Sequence, residues 1–367
     1  MNDFLKKYHG RLTVKGPTFV GNGEKLLKKE YVLSHYNTRI NVLDQVKAYA
    51  FFKSKGMSSD YEKFMMNDPR SDLFHFMKDK RLGIQDIRSC FKYSLDAGDA
   101  LQDHDNKREI HVFIKDPYGN PYVPGSSIKG MLRSILLDED IMASSDGYRS
   151  EQTKIGTRLC SIGKVGKREL AQESKAVEVR CFNTLHRYDL KPYDAVNDIM
   201  SGVVISDSEP LSVEDLVICK KMDLRTDGKE NPLPIARECL KPGTIIDFDM
   251  TIDTSIAHIK SSDIMKAVRD FDDIYMECFS NKFNVDALDG KSVFLGGGCG
   301  FVSKTFIYPL FGKDKGVQIT ADILEKQFRG KHRNDRARNV SPHVMKCTRY
   351  EGKLMQMGLC QLTLEEF

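Results

Sequence analysis

The sequence feature that most limits the fold is a glycine turn within residues 122–133, which read YVPGSSIKGMLR. Tyr122 and Val123 end an extended run, and from Met131 onward apolar residues recur at helical spacing. Gly125 lies between the two patterns, where glycine permits a backbone turn that other residues resist. The segment therefore predicts a strand that passes directly into a helix.

The two serines after this turn lie at the predicted helix start. Ser126 and Ser127 are therefore beside backbone N–H groups that lack intrahelical partners and beside the positive end of the helix dipole, which favours an anion. Lys129 and Arg133 follow within two helical turns and add positive charge. The pattern indicates a phosphate site. The alternative is that a serine only caps the helix and that both cations lie on a solvated face.

A second loop with the same character lies near the N-terminus. Gly21 and Gly23 flank Asn22, a combination that permits positive φ and a tight turn. The loop is either a hairpin turn with solvated lysines or a second source of N–H groups and ammonium ions for a phosphodiester. The lysines that follow it are Lys25, Lys28 and Lys29.

A third loop contains a run of glycines late in the chain. The run holds Gly296, Gly297, Gly298 and Gly300, and Lys304 follows shortly after. Ordering a glycine costs about 0.5–1 kcal/mol more than ordering an alanine. So many glycines together therefore predict a close approach of the backbone by a ligand.

The glycine run does not match a nucleotide-binding motif. Residues 298–305 have the spacing of a P-loop, but Ser303 stands where the second glycine belongs. No G-x-G-x-x-G pattern is complete, and no βαβ framework surrounds the run. We expect neither ATP hydrolysis nor a dinucleotide site.

Metal and cofactor chemistry has little support in the sequence. The nine cysteines form no C-x-x-C pair, which argues against a zinc site, and their dispersed spacing is typical of a reducing cytoplasm. His104 stands between Asp103 and Asp105 and is interpreted as a solvent-facing loop residue. There is no apolar run of eighteen residues and no secretory h-region at the N-terminus. We expect a cytoplasmic protein with no cofactor, no metal and no membrane contact.

The order of periodic segments predicts an α+β fold. Helices are expected at residues 42–52, where Val42, Val46, Tyr49 and Phe52 form the apolar stripe, and at residues 262–279. Strands are expected at residues 10–16, 91–95, 109–114, 203–206, 216–219, 235–240, 244–252, 343–346 and 355–362.

The chain is expected to contain two similar domains, at residues 1–143 and 196–367, the second of which carries the late glycine run. Residues 144–195 are interpreted as a basic insertion or linker between them. Within it, residues 144–175 combine glycines and cations with few large apolar side chains, which predicts an exposed hairpin or a partly mobile segment. Such a segment is either a solvated linker or an arm that contacts nucleic acid.

The charge distribution favours local rather than global binding of nucleic acid. The net charge is only +4, so clusters of cations must account for any affinity for a polyanion. If the three glycine loops converge, they form a track for one strand, with phosphates on N–H groups and cations and with bases stacked on aromatic side chains or left exposed.

These motifs resemble those of the repeat-associated mysterious protein (RAMP) superfamily of CRISPR systems. The residues that carry the resemblance are residues 19–23 (FVGNG), residues 122–133 and residues 295–301 (LGGGCGF), in an order that spans most of the chain. Residues 237–243 (RECLKPG) and 357–360 (MGLC) are similar to the family of fifth subunits of type III-A Csm effector complexes.

The resemblance implies two ferredoxin-like, RRM-like domains and one copy per complex at the 3′ end of the guide RNA. There the subunit would cap the filament of backbone subunits and support trimming of the guide by host nucleases. Its implied partners are the CRISPR guide RNA and the adjacent backbone and small subunits. The catalytic backbone subunit of such complexes is recognised by an aspartate just after the first glycine loop, whereas in this chain the first aspartate after that loop is Asp44. Catalysis is therefore not expected.

Two rival functions remain open at this level. A RAMP endoribonuclease that processes the guide precursor without a metal would need an acid or base near the attacked 2′-hydroxyl, for which His35 is the candidate. Alternatively, the loops bind neighbouring proteins of a filament rather than RNA.

Overall fold

Two β-sheets form the frame of the molecule, and each contains strands from both ends of the chain. The computed structural model describes residues 4–34, 38–66, 72–101, 109–164, 166, 170–187, 191 and 193–367. The strands are β1 Leu5–Val14, β2 Gly21–Leu26, β3 Tyr31–Ser34, β4 Arg39–Leu43, β5 Phe91–Asp96, β6 Glu109–Phe113, β7 Val203–Ile205, β8 Leu216–Arg225, β9 Glu230–Leu240, β10 Ile245–Asp253, β11 Ser292–Phe294, β12 Val344–Tyr350, β13 Lys353–Gln356 and β14 Leu359–Glu366. The helices are α1 Gln45–Ser54, α2 Ser58–Met66, α3 Leu73–Asp79, α4 Gly98–Leu101, α5 Gly125–Ala143, α6 Arg149–Ser161, α7 Ala171–Phe182, α8 Ser261–Cys278, α9 Ile307–Gln327 and α10 Asp335–Arg338.

The first sheet has the strand order β11-β14-β1-β10-β7 and is antiparallel throughout. Its central strand β1 buries alternate residues, among them Tyr8, Leu12 and Val14, as a strand with one face on a core must. Gly10 lies in the same buried series. A Cβ at this position would be 2.3 Å from the ring of Phe248 on β10, so the ring packs where a side chain would otherwise lie. The strand predicted at residues 10–16 is confirmed as far as Val14.

Helices α5 and α8 pack against each other beside this sheet, α5 near β7 and α8 near β11. Helix α8 buries an apolar stripe that includes Ile264, Val268, Phe271 and Tyr275. Its first turn is closed by Asp263, whose carboxylate accepts a hydrogen bond from the backbone N–H of Lys260 at 2.9 Å. The long helix of the C-terminal half is therefore confirmed.

The second sheet follows the order β2-β6-β9-β8-β5-β4-β3, with β12 and β13 added beside β8. The pairings of β6 with β9 and of β5 with β8 are parallel, and the others are antiparallel. Strand β9 leads into β10 of the first sheet through a Lys-Pro-Gly turn, in which Gly243 has a φ of 91°. The α+β class predicted from the sequence is confirmed.

Strands from the two predicted domains are neighbours in both sheets. Strand β1 pairs with β10 and β14, and β6 pairs with β9. The division of the chain into domains at residues 1–143, 144–195 and 196–367 stays a prediction. The strand pairings place strands of the first and last of these ranges side by side in the same sheets.

The described part of the segment interpreted as an exposed hairpin or a partly mobile insertion contains helices and no hairpin, so the hairpin interpretation is wrong. Residues 149–161 form α6 and residues 171–182 form α7. The few large apolar residues in this region are spaced so that they meet the core on one helix face, and four of them are buried: Ile155, Leu159, Val177 and Phe182.

The first predicted helix begins later than expected and presents a different face. Asp44 caps its start by accepting hydrogen bonds from the N–H groups of Val46 and Lys47. Val46 is 80% exposed, whereas Ala48 and Phe52 are buried. Of the predicted stripe the helix buries only Phe52, because Val42 belongs to β4 and Val46 and Tyr49 are exposed.

Candidate nucleic-acid interface

The three glycine loops meet at one groove with a cavity of about 610 Å³. They come from β2, from the start of α5 and from the segment after β11, and we call the cavity the glycine groove. It is lined by Phe19, Val20, Gly21, Gly23, Glu24, His111, Ser126, Ser127, Gly130, Met131, Ser134, Ile135, Phe271, Phe294, Gly296, Gly297, Ser303 and Lys304. The convergence expected from the sequence is thus present in the structure.

Helix α5 begins at Gly125, and its first turn faces the groove. Pro124 is the N-cap and provides no side-chain hydrogen bond, so the alternative that Ser126 or Ser127 caps the helix is wrong. The N–H of Gly125 donates to the carboxylate of Asp207 at 2.8 Å, which uses part of the anion-binding capacity of the helix start. The hydroxyls of Ser126 and Ser127 remain on the groove wall.

Two glycines of this motif have different roles. A Cβ on Gly125 would lie 2.3 Å from the carbonyl oxygen of Ile205, so this glycine lets α5 pack against the end of β7. A Cβ on Gly130 would meet nothing within 4 Å. Gly130 therefore leaves open space in the groove, one turn above the serines, where a ligand can approach the helix.

The late glycine run is explained first by contact between two loops. A Cβ on Gly296 would lie 2.1 Å from the carbonyl oxygen of Phe19, and the N–H of Gly297 donates to that oxygen at 2.7 Å. Gly296, Gly298 and Gly300 also have φ of 79°, 92° and 104°, a region that glycine adopts readily. The close approach that the sequence attributed to a ligand is made here by the loop of Phe19.

Two of the three predicted lysines that follow the first glycine loop have ammonium groups held by neighbouring carboxylate or backbone groups of the N-terminal half. Lys25 pairs with Glu109 at 2.7 Å on the surface. Lys29 is buried, donates to the carbonyl of Met65 at 3.0 Å and lies over the ring of Phe64. Lys28 is half-buried, and its carbonyl accepts from the N–H of Leu73. None of these three ammonium groups lines the glycine groove.

The two cations of α5 face away from the groove. Lys129 donates to the carbonyl of Val203 at 2.7 Å. Arg133 bonds the carboxylates of Asp198 and Glu178, at 2.7 and 3.3 Å, and stacks on Phe182. The structure thus gives both side chains a role in tying α5 to its neighbours. Lys304 is the one predicted cation that lines the groove, where its ammonium donates to the carbonyl of Gly296.

Sequence reasoning missed two basic residues beside the groove. His111 on β6 lines it, and its ring meets the ring of Phe19 edge-on at 6.3 Å. Arg237 on β9 lies opposite His111 and holds its guanidinium 5.3 Å from the centre of the Phe19 ring. Burial lowers the pKa of His111, and the nearby charges of Lys25 and Arg237 lower it further. The only sequence signal that could have pointed to His111 and Arg237 was the alternation of residues along each strand. Alternation does not reveal that β6 and β9 are neighbours.

A separate cluster near the C-terminus contains potential metal ligands. The cluster consists of His332, Asp335 and His343. Each residue offers one donor atom, and these three atoms lie within 4.8 Å of one another. In the structure the carboxylate of Asp335 is fully buried and accepts hydrogen bonds from both imidazoles, at 2.9 and 2.6 Å, and from the hydroxyl of Ser341. These contacts satisfy the carboxylate within the protein, and we interpret the cluster as a structural tie between α10 and β12.

Two sequence candidates for chemistry, His35 and His104, lie outside the described residues. Among the helices of the described residues, none has the length and apolar character needed to cross a membrane.

Comparisons with known proteins agree with the motif resemblance. The family model of the RAMP superfamily matches residues 11–302. The CRISPR system protein Csm5 of Mycobacterium tuberculosis is 31% identical over an alignment of 405 positions, which covers 99% of both chains. The Csm5 protein of Enterococcus italicus is 24% identical, with 98% of both chains covered.

Solved structures show the same fold. A chain in the cryo-EM structure of a type III-A Csm–crRNA–target RNA ternary complex superposes with a TM-score of 0.65 at 19% identity, covering 97% of this chain and all of that one. The crystal structure of Csm5 from T. onnurineus gives a TM-score of 0.64 at 18% identity and covers 96% of this chain and 99% of that one. The chain therefore belongs to the RAMP superfamily of CRISPR proteins and, within it, to the Csm5 family.

Proposed function

We propose that the chain is the guide-RNA-binding Csm5 subunit of a type III-A CRISPR effector complex and that the glycine groove holds part of the guide strand. The observation that carries the proposal is the convergence of three glycine loops, far apart in sequence, on one open cavity. Csm5 relatives matched over their full length support the assignment to this complex.

The chemistry of the groove suits a single strand. Its walls offer the hydroxyls of Ser126 and Ser127 and the ammonium of Lys304, groups that bind phosphate and sugar oxygens. Phe271 and Phe294 also line the groove, but each is only 3% exposed, so they close its apolar side rather than offer a ring face for stacking. The cavity volume lies within the range of about 300–1,000 Å³ that is usual for ligand sites.

We further propose that the subunit is non-catalytic. The carboxylate nearest to the first glycine loop, Glu24, accepts a hydrogen bond from the side chain of Asn22 at 2.8 Å, and the next positions are lysine and leucine. The loop therefore lacks the aspartate that marks the cleaving backbone subunits in the family pattern. We expect guide and target RNA to remain intact when they are incubated with the purified chain and Mg²⁺.

The finer part of the proposal places this subunit at the 3′ end of the guide. There it would end the filament of backbone subunits and assist trimming of the guide by host nucleases. The motif resemblance supports this position. A guide photocrosslinked through its 3′-terminal nucleotides should label this subunit rather than the backbone subunits.

The groove itself is tested by filling it. Gly130→Glu adds volume and negative charge in the open space above the serines, and it should weaken guide binding by at least about tenfold, the equivalent of about 1.4 kcal/mol. Gly156→Glu is the matched control, because Gly156 is also a helical glycine with nothing within 4 Å of a Cβ, but lies on α6. Equal binding by both variants would contradict the proposed groove.

A further inference from the structure

Arg237 is a cation with unpaired hydrogen-bond donors in its guanidinium group. Its Nε and Nη1 atoms are buried and have no hydrogen-bond partner in the described part of the chain. Buried donors are normally paired, and charged donors most consistently so. Contact with the ring of Phe19 is favourable for the charge but satisfies none of these N–H groups.

Further cations surround Arg237 on neighbouring strands. His111 lies directly opposite it on β6, while Lys221 on β8 and Lys346 on β12 lie on the other side. Burial lowers the pKa of Lys221, and the charges of Lys346 and Arg237 lower it further. The ammonium of Lys221 is therefore held close to two like charges.

Carboxylates do not neutralise this cluster fully. Asp223 pairs with Lys346 at 2.6 Å and also lies near Lys221. Within the described ranges, no carboxylate comes within ion-pair distance of Arg237 or Lys221. Asp223 is thus the one carboxylate described beside the three cations Arg237, Lys221 and Lys346, which are half-buried. A bound anion would stabilise such an arrangement.

The late glycine run lies over the cluster. A Cβ on Gly298 would lie 2.3 Å from Nη1 of Arg237, so a side chain at residue 298 would displace the guanidinium from its position beneath the loop. A Cβ on Gly300 would lie 3.4 Å from Cγ of Lys346. The same loop therefore lines the glycine groove at Gly296 and Gly297 and covers the cations two to four residues later.

We propose that Arg237, Lys221 and Lys346 form a binding site for a phosphodiester group of the guide strand, next to the glycine groove. The inference rests on the proposed function, because the strand in the groove brings the phosphate. Neighbouring strands of a sheet are about 4.8 Å apart, so β9, β8 and β12 spread the three cations over about 10 Å. A phosphate that approaches the exposed part of Arg237 accepts charge-assisted hydrogen bonds from the guanidinium and from one or both ammonium groups.

The test measures the salt dependence of RNA binding by the full chain, with a fluorescent single-stranded guide RNA as the probe. Arg237→Gln and Lys221→Gln should each weaken binding about tenfold and reduce the slope of log K against log salt by about 0.7, the value for one lost phosphate contact on a single strand. Lys154→Gln removes an exposed charge on α6 and should leave the slope unchanged.

Thermal unfolding separates binding from a structural role. If Arg237 is held for an anion, Arg237→Gln should unfold at the same or a higher temperature than the unmodified chain in the absence of RNA. A lower unfolding temperature together with an unchanged slope would overturn the inference and make Arg237 a support for Phe19. Lys221→Gln, which lies farther from the loop contacts, repeats the slope measurement without that risk.

The outcomes distinguish this site from the glycine groove. Unchanged slopes for Arg237→Gln and Lys221→Gln, with Gly130→Glu still weakening binding, would overturn the phosphate site and leave the groove intact. Reduced slopes with no effect of Gly130→Glu would support the phosphate site and count against the groove.

Discussion

Replacing Gly296 by alanine should separate the first glycine loop from the third. The new Cβ would lie 2.1 Å from the carbonyl oxygen of Phe19, a distance that no real Cβ contact reaches, and the obstacle is backbone that cannot rotate away. The φ of 79° at this position adds strain for any residue with a Cβ, about 1–2 kcal/mol.

The loop must therefore shift, and the shift breaks the hydrogen bond from Gly297 to Phe19, which contributes about 0.5–1.5 kcal/mol. The two contributions together predict that Gly296→Ala lowers the free energy of unfolding by about 2–3 kcal/mol. Gly130→Ala is the matched comparison, because it meets no neighbour and replaces a glycine inside α5, and it should stabilise the chain by about 0.5–1 kcal/mol.

Urea unfolding followed by circular dichroism measures both changes, and guide binding measured in parallel should be weakened by Gly296→Ala. If Gly296→Ala is as stable as the unmodified chain, the two loops do not pack as described, and the glycine run must be explained by a ligand after all.

Three further predictions follow from the site and its surroundings. Arg133→Ala removes the partner of Asp198 and Glu178 and should lower the free energy of unfolding by about 1–3 kcal/mol. The slope of log K against log salt for RNA binding should stay unchanged. A reduced slope would show that Arg133 binds phosphate, as its position in the sequence suggested. The pKa of His111 is lowered by burial and by the charges of Lys25, Arg237 and Lys221, which together outweigh the opposing effect of Glu109. A nearby phosphate raises this pKa, so guide affinity should increase as pH falls from 8 to 6. His111→Gln should remove that pH dependence in titrations at constant salt. Burial opposes the charged form of Asp335, but hydrogen bonds from two imidazoles and Ser341 outweigh that effect and lower the pKa of Asp335 from 3.8 to about 2. The carboxylate therefore contributes about 2 kcal/mol of stability above pH 4, which is lost between about pH 4 and 2. Asp335→Asn should remove that part of the acid sensitivity in unfolding measurements, and an unchanged pH profile would show that the carboxylate is not held this way.

Periodicity predicted those elements whose burial alternates cleanly. Strand β1 and helix α8 present regular apolar series. Helix α8 was found where the sequence placed it, whereas β1 begins already at Leu5 and confirms the predicted strand only as far as Val14. Helices α6 and α7 bury only a few large residues each, so their sequences look like those of a solvated insertion. Their packing depends on contacts with α5 and α9, which no local pattern reveals.

The glycine loops were predictable, but most of the cations around them were not. Glycine spacing reports backbone geometry, which is local, and it located all three walls of the groove. The role of a lysine or arginine depends on which carboxylates the fold brings near it. Arg133 is taken by Asp198, which is 65 residues away in sequence, whereas Arg237 has no such partner among the described residues.

The most direct test of the account is to crosslink the guide to the assembled complex. A guide carrying single 4-thiouridines near its 3′ end should crosslink, from the same few nucleotides, to residues 19–23, 126–130 and 296–304, as identified by mass spectrometry. That result would show one strand lying in one groove made by three loops. Crosslinks from those nucleotides to only one of the loops, or to faces of the molecule away from the groove, would contradict the central claim.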